Sequence, residues 1–410
     1  MSQLVVFDDR EHAADGADAV DCGPLWDTRA SFELRTGMLT TLERLAREWP
    51  GHIAAVWVPG FLESIVAERA IAPVNRLDGD DSCFCANGRW IFPAARFELG
   101  AGQALVESES GHVVAANLGS NDASRFLSSG ELPDSVERVE FAGRLLARSP
   151  WDILNELPRT LHSDLMSHAN AHPSGDAPRG VTIVAEDEPV VLGPGSQLWP
   201  GVVLDNSAGP IVIDADAVVR PGAVIVGPAY IGRGSTIIDR ALIKANSSIG
   251  PSCKIAGEIG ASIVQGFSNK AHDGHIGDSL IGEWVNLGAG TTNSNLLNTY
   301  GEIAMRLRPD GPKRRTGRQY LGAIFGDHVK TAIQTRIMTG SVFGVGSMIA
   351  AVTPPSCVGG FEWITEGGRK RYRFDKFIEV ARTVMRRRDR ELTCAMIEHL
   401  QSLHPEGPTA

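Results

Sequence analysis

The 410-residue sequence is poor in aromatic residues, at 6%, and has only six cysteines, at positions 22, 83, 85, 253, 357 and 394. Scattered cysteines of this kind make no disulfide framework. The one close pair, Cys83 and Cys85, has the spacing of neither a zinc knuckle nor a redox motif. Positive charge is also short. A formal net charge of -10 argues against a general binder of nucleic acid or anionic membranes. No apolar run reaches 18 residues, so no membrane span is expected. The opening MSQLVVFDDREHAADG has neither a basic start nor a long apolar stretch, so it reads as no signal peptide and a cytoplasmic protein is expected.

What the chain does have is glycine, 45 residues, beside 43% hydrophobic and 21% charged content. That balance suits a soluble globular protein with many tight turns, and the length implies two or more domains. Residues 1–148 alternate apolar strand-like runs (Leu4–Phe7, His52–Val58, Trp90–Phe92, His112–Ala116) with helical spacing at Phe32–Trp49 and Phe61–Ile71. This alternation predicts an α/β layer with a largely parallel sheet. Pro50-Gly51 ends the first helical run. Residues 149–180 read as a helix followed by the Pro/Gly-rich linker AHPSGDAPRG at 171–180, where the domain boundary is expected.

Over 181–357 the pattern changes. Ile213, Val219, Ile225, Ile231, Ile237, Ile243, Ile249 and Ile255 are eight apolar residues in succession at a spacing of six, with turn residues such as Arg220-Pro221-Gly222 between them. Neither a helix nor a flat strand generates that period. A hexapeptide repeat does, one short strand and one turn per hexad and three hexads per triangular coil, with the apolar residue pointing inward. The period shifts after 255, resumes at Ile276, Ile281 and Leu287, and returns at Phe325, Thr331, Ile337, Phe343 and Ile349. Between them, Asn298–Leu321 reads as a loop extruded from one corner. Residues 358–410 carry two helical patterns, expected to cap the coil.

Two stretches carry a resemblance. Pro24-Leu25-Trp26-Asp27-Thr28-Arg29 with Glu33-Leu34-Arg35-Thr36-Gly37, and later Val58-Pro59-Gly60 and Asn87-Gly88-Arg89, resemble a divergent sugar nucleotidyltransferase-like family that carries a hexapeptide-repeat half. His272-Asp273-Gly274-His275 followed by Asn286-Leu287-Gly288-Ala289-Gly290 and Asn295 resembles the acetyltransferase half of the bifunctional sugar-1-phosphate uridyltransferase/amino-sugar acetyltransferase family. The resemblance implies a nucleotidyltransferase-like α/β domain, a left-handed parallel β-helix with a C-terminal helical cap, a homotrimer, and acetyl-CoA as acyl donor. The acceptor it implies is an amino sugar phosphate or nucleotide sugar. Mg2+ and a nucleoside triphosphate join the expected ligands if the N-terminal domain transfers nucleotides.

The same resemblance places His272 on the family's catalytic histidine, a residue type whose pKa near neutrality suits it to take a proton from an attacking amine. Asn286 and His275 fall on acceptor-contacting positions, His275 in place of a tyrosine. Asn295 falls on a position next to acetyl-CoA, and Ala289 on one whose backbone faces the acyl group. From the residues themselves, Lys244 and Lys254 are further candidates for an anionic acceptor, and Arg220 reads as a turn residue. Lys313, Arg314, Arg315 and Arg318 offer charge for the phosphates of coenzyme A, and His328, about two coils beyond His272, is a further cofactor-side candidate that would reach the site from its own or a neighbouring subunit. In the N-terminal domain only Arg29 and Arg35 stand as nucleotide-binding candidates, because the basic Gly-rich loop that cradles phosphates is missing. Two other classes share the fold. One is a trimeric zinc carbonic anhydrase, for which His272, His275 and His328 are the candidate ligands although His-x-x-His does not match that family's spacing. The other is a non-catalytic scaffold that binds a nucleotide sugar. No metal site is assigned.

Overall fold

The computed structural model describes residues 3–10, 20–49, 52–79, 81–92, 98–172, 177–185 and 187–405. The chain divides into two compact units. The first comprises Met1–Asp21, Thr28–Leu34 and Leu39–Asp152, and the second Cys22–Asp27, Arg35–Met38 and Ile153–Ala410. The division thus falls inside a helix at Asp152, and two short N-terminal segments group with the C-terminal unit. Of the expected linker, residues 173–176 lie outside the described residues, as do Pro50 and Gly51.

The first unit is a six-stranded sheet built from β1 (Gln3–Phe7), β2 (Ile53–Trp57), β3 (Cys83–Asn87), β4 (Gln103–Glu107), β5 (Val113–Leu118) and β6 (Glu137–Phe141), in the order β2-β1-β3-β5-β4-β6. Strand β1 runs parallel to β2 and β3, and β4 parallel to β6. Strand β5 is antiparallel to both its neighbours. The sheet is therefore mixed, where a largely parallel one was expected. The physical reason is the connection at 108–112, too short for a crossover, which forces β4 and β5 into a hairpin. Central β3, the sequence CFCAN, lacks the branched residues that mark strands. Cys83 and Cys85, two residues apart, place both thiols in the core beside Val5, Ala116 and Phe126, where burial pushes both thiol pKa values up. The helical pattern at 32–49 divides into a short turn at Ser31–Glu33 and helix α1 (Thr41–Glu48), because Thr40 accepts from the Glu43 N–H and Glu43 reaches back to the Thr40 N–H. Helices α2 (Gly60–Ala67) and α3 (Ser120–Ser129) complete the layer. Trp90 makes only an isolated bridge to Leu146, not a strand.

Helix α4 (Pro150–Ala171) leads out of the first unit. In the second unit, short strands stack in three parallel sheets, one per face of a coil. The first face runs from Thr182–Ile183 to His275–Gly277, the second from Val190–Leu192 to Cys357–Val358, and the third from Gln197–Leu198 to Glu362–Thr365. The inward residues are the predicted hexad positions: Ile213 stacks on Ile231 and Ile249, Val219 on Ile237 and Ile255, and Ile225 on Ile243, which Ile259, outside the predicted period, follows. They form one continuous apolar core. This is the expected parallel β-helix, consistent with the left-handed form.

The period lost after Ile255 is explained by shortened corners. Ile249 pairs with Val264 and Ile255 with Lys270, each fifteen residues on instead of eighteen. The extruded loop carries a hairpin of its own, Ala304–Arg306 against Lys313–Arg315. At the far end, Gly368–Arg371 closes the third face as an antiparallel strand on Glu362–Thr365. Helices α5 (Phe374–Arg386) and α6 (Cys394–Leu403) pack Phe377, Ile378 and Leu400 onto Val345 and Phe361 of the last coils. The cover extends backwards along one corner. There Phe267 and Trp284 stack at 4.5 Å between ring centroids, Phe377 meets His328 edge-on, and Arg390 lies over Phe267.

Truncating a ladder residue should open a void that neighbouring coils cannot fill. Ile243→Ala is expected to destabilise the protein by about 2–5 kcal/mol, read as a lowered urea midpoint with the slope unchanged.

Candidate functional site

The stretch His272-Asp273-Gly274 forms the corner between the third face, ending at Lys270, and the first face, resuming at His275. His272 is exposed there. Lys270 and Ile276 are six residues apart, whereas their partners on the coil beneath, Ile255 and Ile259, are four apart. This corner therefore carries two residues more than the one it rests on, and the surplus swings outward with His272 on it. Gly274 makes the tight return, with φ at +113°. A Cβ there would stand 2.2 Å from the Thr291 carbonyl oxygen, so a side chain is excluded.

On the first face beside this corner the structure brings four expected residues onto one surface. The Glu258 carboxylate receives Lys244 Nζ at 3.2 Å and lies 3.5 Å from His275 Nδ1. Gly277 leaves room beside them: a Cβ at that position would fall 2.7 Å from His275 Nε2 and 2.8 Å from Asn295 Nδ2. Asn295 donates to Asp278 Oδ2 at 2.7 Å, and Arg318 donates to Asp278 Oδ1 at 3.2 Å and to Asn155 of α4 at 2.7 Å. Burial lowers the Arg318 pKa, opposed by the Asp278 charge. The anchoring carboxylates Glu258 and Asp278 and the amide of Asn155 escaped the sequence reading. Glu258 sits where the hexad period slips, and Asn155 is far away along the chain.

On the other side of the corner, Lys254, Asn269, Asn286 and Lys330 follow one another on the third face. Arg388 from the segment after α5 donates to Asn269 at 2.8 Å, and burial holds Lys330 down to about 8. The Ala289 carbonyl accepts from the Gln334 N–H at 2.7 Å. His272 thus stands between two polar surfaces. The remaining candidates lie elsewhere. His328 sits at a different corner, buried between Trp284 and Phe377. Lys313 and Arg315 are exposed on the loop hairpin, Arg315 paired with Glu302, and Arg314 is half-buried between them. Arg220 pairs with Asp239 and lies 4.6 Å from the Trp199 ring, in keeping with a turn residue. Among the described residues no group of three or more His, Cys, Asp or Glu could hold a metal ion, and no helix is long and apolar enough to cross a membrane.

In the first unit, a cleft of about 190 Å³ opens at the C-terminal ends of β1 and β2, lined by Phe7, Trp57, Phe126, Asp8, Asp9 and His112 among others. This is where open α/β sheets bind ligands. The acids in it are engaged. Asp8 accepts from the Arg10 guanidinium at 2.8–3.0 Å and from the Ser31 N–H at 2.7 Å. Asp9 accepts from Arg89 at 2.5–2.6 Å and from Asn87 at 2.8 Å. Burial alone would raise the Asp9 pKa, yet the buried Arg89 guanidinium holds it below the ordinary carboxylate value, while burial and Arg89 lower that of His112. A divalent cation needs open carboxylate oxygens, and guanidinium groups stand on these. Among the described residues the lining also offers no lysine or arginine to a triphosphate. Neither Mg2+ nor a triphosphate fits this pair of acids. The two arginines expected to serve a nucleotide are divided between units: Arg29 is buried in the first, while Arg35 in the second donates to the Met38 carbonyl and takes Gln265 Oε1 on its N–H.

Fold and site together define a protein with an N-terminal α/β unit and a hexapeptide-repeat coil that presents a histidine corner. Residues 13–171 match the family described as sugar nucleotidyl transferase. Among relatives, the bifunctional sugar-1-phosphate nucleotidylyltransferase/acetyltransferase of Sulfurisphaera tokodaii is 34% identical over 157 residues, covering 36% of this chain and 38% of that protein. The bifunctional protein GlmU of Methanococcus vannielii is 32% identical over 126 residues, 31% of this chain and 28% of that one. The chain thus matches well under half the length of these relatives. The acetyltransferase domain of PglB from Neisseria gonorrhoeae, solved in complex with acetyl coenzyme A, aligns over 66% of this chain and all of that one at 14% identity, with a TM-score of 0.17. The family resemblance read from the sequence is borne out by the family match and by the names of these relatives.

Removing Arg89 should leave the Asp9 carboxylate buried without a counter-charge. Arg89→Met is expected to cost about 3–5 kcal/mol at neutral pH in urea unfolding. The penalty should shrink on acidification as Asp9 takes a proton. In the parent the sign is opposite: with its folded pKa depressed, Asp9 stabilises fully above about pH 4 and loses that contribution as pH falls through its lower folded value.

Proposed function

We propose that the coil transfers an acetyl group from acetyl-CoA to the amino group of a sugar phosphate or nucleotide sugar, with His272 as the general base. The observation that carries this reading is the lengthened corner, which lifts His272 out of the ladder between two polar surfaces. The acceptor amine attacks the thioester carbonyl, a C–N bond forms as the C–S bond breaks, and His272 takes the amine proton and returns it to the departing thiolate. An N–H at Ala289 suits the oxyanion that develops on the carbonyl. His275 and Lys244 face the acceptor on the first face, Lys254 and Asn286 on the third, Asn295 is kept for acetyl-CoA, and the hairpin residues Lys313, Arg314 and Arg315 offer charge to the phosphates of coenzyme A. Arg318, already spread between Asp278 and Asn155, fits a positioning role better than phosphate binding.

The family match supports nucleotidyl transfer as a second activity of the first unit, with a nucleoside triphosphate and Mg2+. Its cation ligands would be residues other than Asp8 and Asp9. Pyrophosphate release from UTP and N-acetylglucosamine 1-phosphate over a range of Mg2+ concentrations checks it, and no release at any of them confines the chemistry to the coil. The reading also includes a homotrimer in the cytoplasm, as for the family the chain resembles, with a mass by light scattering about three times 43.9 kDa.

Replacing the base tests the main proposal. With acetyl-CoA and glucosamine 1-phosphate or UDP-linked amino sugars, His272→Ala is expected to lower kcat for thiol release about a hundredfold or more, with KM for acetyl-CoA little changed. An unchanged rate would overturn the proposal in favour of a non-catalytic scaffold.

A further inference from the structure

One rung of the third-face ladder breaks its chemistry. The inward positions run Leu198, Val219, Ile237 and Ile255, and the next is Lys270. Its side chain is 1% exposed. Burying an ammonium among aliphatic residues is costly unless its hydrogens are satisfied, and here they are spent on a particular pair of acceptors: Lys270 Nζ donates to the carbonyls of His272 and Asp273. Those carbonyls belong to the two-residue surplus of the corner. The shorter corner beneath supplies its N–H to Gly274, through Glu258 at 3.1 Å, and to neither of them. An ammonium has three donors and no acceptor, so it can gather two carbonyls of an irregular turn as no apolar rung could.

We propose that Lys270 is a positioning residue, holding from inside the coil the outward corner that presents His272. The inference rests on the acetyl-transfer reading of that corner. Burial lowers the lysine to about 8, opposed by Asp273, so the ammonium form prevails at neutral pH. Without it the two carbonyls lose their donor and the corner gains freedom, spreading the imidazole over positions of which few are productive. Misplacement by about 1 Å can cost on the order of a hundredfold in rate.

Lys270→Met keeps the volume and removes the donors. Thiol release with acetyl-CoA and the amino-sugar acceptors above should show kcat reduced about tenfold or more, with KM for acetyl-CoA unchanged. The melting temperature should hold or rise, since a buried charge is replaced by an apolar chain. Amide exchange followed by mass spectrometry should quicken in the peptide covering 268–277. In the double variant with His272→Ala, Lys270→Met should lower the rate no further than His272→Ala alone, a non-additivity that a purely structural role would not produce. Should Lys270→Met fail to fold, Lys270→Gln, which retains an N–H donor, is expected to fold and keep intermediate kcat. Parent-like kcat and exchange in Lys270→Met, with activity lost in His272→Ala, would overturn the positioning role alone. Activity retained in His272→Ala would overturn the base and the positioning role together.

Discussion

Coil-on-coil register is the constraint on which the second unit depends. Each short strand is paired with the strands above and below, and each inward side chain rests on its equivalent one coil away. A strand cannot shift by one residue without turning its ladder residue outward. Corners are free of that rule. They can shorten, as after Ile255, or lengthen, as at His272 and in the loop before Leu321, provided the next strand re-enters in register. The exposed His272 stands on one of these lengthened corners.

The ladder explains what could be read in advance. Residues 213–255 announce their period because nothing but an aliphatic side chain fits those rungs. The same logic hid Lys270: a lysine at a rung looks like a missed repeat, and only the carbonyls it meets give it a purpose. Glu258 and Asp278 were hidden because the spacing around them departs from six, and Asn155 because its partner Arg318 is distant in the chain. The histidine corner itself was legible from its motif. Its geometry was not, since the two extra residues are visible only against the coil beneath.

The first unit was less legible. Its alternation of strands and helices could be read, but the antiparallel pairs could not, because neither β3, with cysteines and asparagine around Phe84, nor β4 stood out as a strand. The acids at the end of β1 drew no attention in the sequence. Asp8 and Asp9 stand beside the cleft, where Arg10 and Arg89 pair with them. Arginine there ties the strand ends together and neutralises the pair, a structural use of the position where nucleotide chemistry would put metal.

The short strand Gly368–Arg371 has a consequence for assembly. A parallel coil ending on Glu362–Thr365 would offer its open backbone to the first coil of another molecule, and head-to-tail stacking of that kind has no natural stopping point. By doubling back antiparallel, the chain pairs that edge with a strand of its own, tied by Arg369 to Glu362 at 2.9 Å and carrying Lys370 and Arg371, charge that opposes the addition of a further strand. The same polypeptide that builds a growing stack thereby carries the device that makes it finite.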